Sequence, residues 1–157
     1  MKPNIEISEI NLKASALLLN TLLADEYLLY TKTRSAHWNV QGQNFIELHN
    51  FFETQYDSLE VIIDNVAERV RALGHFALGS LKDFIDITRL IEHNNDFTDN
   101  KNILQTLLED HESIVRFLRK DISLSDEKHR DLGTASFMTG LLEQHEKMSW
   151  MLRSHLS

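Results

Sequence analysis

Residues 22–74 read LLADEYLLYTKTRSAHWNVQGQNFIELHNFFETQYDSLEVIIDNVAERVRALG, and two helical periods separated by one turn run through them. Leu23, Tyr27 and Tyr30 stand three and four residues apart. Leu12, Ala16 and Leu19 carry the same spacing back towards Ser8, a side chain suited to cap a helix. The spacing predicts a first helix from about Ser8 to Ala36. Leu17, Leu18, Leu22, Leu28 and Leu29 widen its apolar surface beyond one stripe, so it is expected to touch neighbours on two sides, such as its own bundle and an adjoining subunit. Asn39 to Asn44, with Gly42, reads as a turn. A second helix follows from about Phe45 to Leu73, with Phe45, Leu48, Phe52, Tyr56, Leu59, Ile63, Val66, Val70 and Leu73 on one side, and Gly74 stops it.

Beyond Gly74, residues 74–97 form a long connection in which Ser80 caps a short helix, LKDFID. A third long helix is expected over about Asp99 to Ile122, with Ile103, Leu107, Ile114 and Leu118 along one side. A fourth follows Ser125 and carries Phe137, Leu141, Met148, Trp150 and Leu152. The expected fold class is therefore all-α: a ferritin-like four-helix bundle with a short extra helix in the long connection between helices two and three. Residues 1–157 read as one domain, with no internal repeat or low-complexity segment.

One proline and five glycines in 157 residues leave little punctuation for many short strands. The absence of cysteine excludes disulfides, thiolate metal sites and cysteine nucleophiles. No apolar signal core opens the chain and no segment has the length of a membrane span, so a cytoplasmic protein is expected. Sixteen basic and twenty-four acidic side chains give a formal charge of −8, which repels nucleic acid as a whole.

The polar face of the second helix carries His49, Glu53, Asp57, Glu60, Asp64 and Glu68. The pairs His49/Glu53 and Asp64/Glu68 are each spaced by four residues, so each can present two ligands together. Imidazole and carboxylate without thiolate suit iron, manganese or zinc. At about 1.5 Å of rise per residue, His49 and Asp64 lie roughly 22 Å apart on one helix, while a ligand bond is only about 2 Å long. Either the two pairs serve different ions, or a second copy of this helix crosses antiparallel about a two-fold axis near Ser58 and Leu59. In the second case His49 of one chain meets Asp64 and Glu68 of the other. His37, in HWNV before the turn, is brought back towards His49.

The run over residues 22–74, with GTASFMTGLLEQHEKMSWMLRSHL over residues 133–156, resembles the Dps mini-ferritins, the DNA-binding proteins from starved cells. The pattern is a histidine before Trp-Asn, a second histidine twelve residues on, an acid, then Asp-x-x-x-Glu. The resemblance implies a ferroxidase centre shared across a two-fold axis, with His37 and His49 from one subunit and Asp64 and Glu68 from its partner. Glu53 fills an acidic position often occupied by aspartate, and Trp38 matches a tryptophan beside the centre. It further implies a hollow dodecamer in which iron(II) is oxidised, preferably by hydrogen peroxide, and stored as iron(III) mineral. Such a protein protects against oxidative stress.

Two departures from the family pattern stand out. DNA-binding members use a lysine-rich tail, whereas the first ten residues here hold Lys2 against Glu6 and Glu9, and the C-terminal end offers only Arg153. DNA binding is therefore expected to be weak or absent, although a DNA-binding stress protein with little ferroxidase activity is the alternative reading. Thr134-Ala135-Ser136 stands where the family usually has Thr-Ala-Asp beside a pore for iron, with Asp131 as a nearby candidate acid. Histidines 75, 93, 111, 129, 145 and 155 match no motif and are expected to be structural or solvated. Asp25 and Glu26 are expected to pair with Lys32 or Arg69.

Overall fold

The computed structural model describes residues 3–92 and 99–157; Lys2 and His93 lie outside the described residues. Five α-helices and no strand occur among them: α1 Glu9–Asn39, α2 Phe45–Ala72, α3 Leu81–Ile87, α4 Asn100–Ser123 and α5 Leu132–Leu156. The all-α expectation holds, and so does the short helix within the crossover. Helix starts are set by local chemistry. Ser8 accepts from the backbone N–H of Asn11, Ser80 from Asp83, and Asp99 from Lys101, each satisfying a donor that a first helical turn leaves unpaired.

α1 with α2 and α4 with α5 make two packed hairpins, and α1 also contacts α3 and α4. The seam between them is apolar, with Leu19, Leu22, Leu29, Phe52, Leu59 and Leu118 fully buried. Burial of such side chains supplies the main driving force, at about 1.5–3 kcal/mol each. The breadth of the apolar surface on α1 has a structural reason within the chain. Leu22 through Glu26 are five consecutive buried residues, because α3 and the crossover cover the side of α1 that the bundle leaves open.

The crossover is tied down by Arg89. Its backbone N–H donates to Asp25 Oδ1 at 2.6 Å and its Nε to Asp25 Oδ2 at 2.8 Å, while Nη1 reaches Asp121 Oδ2 at 2.7 Å. Its guanidinium also lies 4.4 Å from the centre of the Phe117 ring. Burial pushes the Asp25 carboxyl upward from its ordinary range, and the Arg89 guanidinium pulls against that shift. The expected partners of Asp25 and Glu26 are thus corrected. Asp25 binds Arg89, Glu26 binds His145, Lys32 pairs with Asp110, and Arg69 with Asp131.

α5 begins later than its sequence suggested. α4 runs on into a π-helical turn over Leu124–Lys128, and Arg130 adopts a left-handed φ of 58° before α5 starts at Leu132. Ser125 is fully buried and donates its hydroxyl to the carbonyl of Asp131. Asp131 takes the capping role, accepting from Thr134 N at 3.0 Å and from its hydroxyl at 2.6 Å. Two polar residues competed for one helix start, and the carboxylate with a threonine three residues on won. Phe45 and Trp150, expected on apolar faces, are exposed.

Candidate metal centre

His37 ends α1 and His49 lies one turn into α2. The chain reverses between them through Val40, whose N–H donates to Ala36 O at 2.9 Å, and Gly42, whose φ of 98° is open chiefly to glycine. The reversal brings the two rings into a stack with centroids 3.7 Å apart and planes 23° from parallel. Each ring then binds the backbone of the other's residue: His37 Nδ1 to His49 O at 2.8 Å, and His49 Nδ1 to His37 O at 2.9 Å.

That reciprocity fixes the tautomers. A carbonyl oxygen only accepts, so both Nδ1 atoms carry hydrogen and, in the neutral rings, both Nε2 atoms keep a free lone pair. This is the usual outer-shell device for a metal-binding histidine: one nitrogen held by an oxygen, the other left basic and aimed. Tyr56 packs edge-on to His37 at 5.2 Å and donates its hydroxyl to Glu53 Oε1 at 3.3 Å. Arg34 lies 4.8 Å from the Tyr56 ring centre and 5.5 Å from that of Trp38, which is otherwise largely exposed.

His37, His49 and Glu53 are therefore brought to one corner of the bundle. Asp64 and Glu68 are not among them. α2 is continuous from Phe45 to Ala72, so these acids lie about four to five turns beyond His49, exposed on its far half. Among the described residues of one chain, no three histidine, aspartate or glutamate side chains converge closely enough to hold a metal ion.

The remaining histidines have other surroundings. His129 Nδ1 is 3.4 Å from Ser15 Oγ, His155 packs on Phe51, and His75 Nε2 lies 3.9 Å from Glu9. His111 and His145 meet in the core, a pairing that sequence reading missed. The available signal was that each occupies a position of the inward apolar period of its helix. Asp131 is not an open pore acid in this chain: it is 1% exposed and spent on the cap of α5 and on Arg69.

A ferritin-like domain model matches residues 16–157. A DNA protection during starvation protein of Helicobacter pylori is 33% identical over 140 residues, 89% of this chain and 96% of the relative. The chain belongs to the Dps family of ferritin-like proteins. A low temperature-induced protein of Nostoc is 41% identical over 153 residues, covering 98% of this chain and 86% of that one. Among solved structures, the Dps protein of Vibrio cholerae, described as a member of a broad superfamily of ferritin-like diiron-carboxylate proteins, superposes with a TM-score of 0.89. It is 30% identical, and the match covers 99% of this chain and 100% of the other. No helix among the described residues is long and apolar enough to cross a membrane.

Proposed function

We propose that this Dps-family chain is an iron-oxidising and iron-storing mini-ferritin of the cytoplasm, with iron(II) as substrate and ferric mineral as cargo. The observation that carries the reading is the reciprocal His37/His49 lock, which leaves two Nε2 lone pairs at one corner beside Glu53. Asp64 and Glu68 complete the ligand set from a second copy whose α2 crosses antiparallel. The helical rise alone forbids their doing so within one chain.

In this arrangement His37 and His49 bind iron through neutral nitrogen. Asp64 and Glu68 of the other copy neutralise its charge and favour the ferric state, and Glu53 flanks a second iron position. Two ferrous ions each give one electron to hydrogen peroxide, the preferred oxidant, whose O–O bond breaks as ferric oxyhydroxide forms and protons are released. Iron and peroxide are consumed together, which limits radical formation and protects the cell from oxidative stress. The resemblance to the Dps mini-ferritins implies a hollow dodecamer as the assembly. The alternative DNA-coating role has a relative's name in its favour, but the net charge of −8 opposes it.

The test loads the assembled protein with ferrous iron without oxygen, adds peroxide, and follows ferric absorbance beside a His37→Ala/His49→Ala variant. Rapid oxidation that disappears in an equally assembled variant is the expected result. Equal rates in the two proteins would overturn the assignment.

A further inference from the structure

Away from the proposed centre, the middle of the bundle holds a buried cluster of three polar side chains. Glu26 of α1 and His145 of α5 are 0% exposed and His111 of α4 is 1% exposed. His145 Nε2 is 2.9 Å from Glu26 Oε1, and its other nitrogen, Nδ1, is 2.9 Å from Nδ1 of His111. Glu26 Oε2 has no hydrogen-bond partner, so among the described residues the carboxylate's hydrogen bonding rests on His145. The other buried charged groups on the surrounding elements are committed elsewhere: Asp25 and Asp121 to Arg89, Lys32 to Asp110, and Asp131 to Arg69. The inward polar side chains of α2 are only Gln55 and Tyr56.

Two nitrogens facing each other at 2.9 Å hold one hydrogen between them. Two lone pairs there would repel, and two N–H groups would collide. The rings can therefore not both be imidazolium while they touch. The ring that stays neutral is His111, since His145 alone has a carboxylate beside it. Burial first, and the neighbouring His145 second, hold His111 well below the ordinary histidine range.

We propose that Glu26, His145 and His111 form an acid-sensitive latch that joins α1, α4 and α5 while one hydrogen is shared between the rings, and that opens when both rings are protonated. The sign follows from linkage. In the unfolded chain both histidines protonate near pH 6.5, whereas the latched core accepts one proton fewer. The latch is at full strength above that pH and weakens as pH falls. Each further pH unit costs about tenfold in the equilibrium between closed and open core.

Hydrogen exchange of the assembled protein, corrected for the intrinsic pH dependence of exchange, reads this directly in peptides containing residues 111 and 145. Protection in the native protein is expected to fall about tenfold per unit below about pH 6.5. In His111→Gln, whose amide still donates to His145 but takes no proton, the fall should be absent or displaced to lower pH. Parallel losses in the two proteins, or native protection unchanged down to about pH 4.5, would overturn the latch. Should the variant fail to assemble, exchange at the imidazole C2 positions of the native protein reports each ring separately. His111 is expected to titrate well below the ordinary histidine range, and titration of His111 near pH 6.5 would equally refute the proposal.

Discussion

Asp131 illustrates how much one side chain decides. Its carboxylate caps α5 through Thr134 and holds the Arg69 guanidinium at 3.2 Å, while being almost fully buried. Asp131→Ala removes a cap and leaves Arg69 without its anion, a loss of roughly 2–4 kcal/mol. A lower denaturant midpoint with unchanged slope is the expected outcome. Iron uptake per assembled subunit should remain within about twofold of the native rate, because a residue spent on a cap takes no part in admitting cations. A much slower uptake in intact assemblies would restore Asp131 to the pore. At this scale the sequence was only partly legible. His37 and His49 carried a spaced motif, and helix geometry made their neighbourhood readable. Asp25, Glu26 and Asp131 have partners 64, 119 and 62 positions away, and no local pattern records such pairings.

Elements were more legible than pairings, because caps and periods are local. Ser8 and Ser80 start helices where their side chains suggested, the third long helix begins beside Asp99 as its period indicated, and Gly42 and Gly74 stand at the turns with positive φ. The delayed start of α5 escaped notice because a π-helical turn leaves no period to read. What holds the crossover against the bundle is a long-range matter, and it rests on Arg89. Arg89→Ala leaves Asp25 and Asp121 buried without their shared cation, which costs about 3–5 kcal/mol. Urea unfolding should detect this as a large drop in midpoint. Adding Asp121→Asn to the variant should recover part of the loss, since one buried charge goes with it. A drop below about 1 kcal/mol would mean that the apolar contacts of the crossover, not its ion pairs, hold it in place.

The whole molecule is where sequence and a single chain both stop short, since the proposed centre is divided between copies. Net acidity makes one expectation simple: the protein should not retard duplex DNA at physiological salt, and retardation relieved by added salt would show a basic surface that the overall charge hides. The sharing of ligands calls for a complementation experiment. One subunit carries His37→Ala/His49→Ala and keeps its acids; another carries Asp64→Ala/Glu68→Ala and keeps its histidines. Alone, each assembly lacks every complete centre. Reassembled together at equal amounts, half of the two-fold pairs are mixed, and each mixed pair has one intact centre of two. Peroxide-driven oxidation should therefore return to about a quarter of the native rate. Were the ligands all supplied within one chain, no combination of these subunits would contain a complete set. The mixture would then stay as inactive as its parents, however well it assembled. Recovery thus reports division of the site between copies, independently of how fast any single centre turns over.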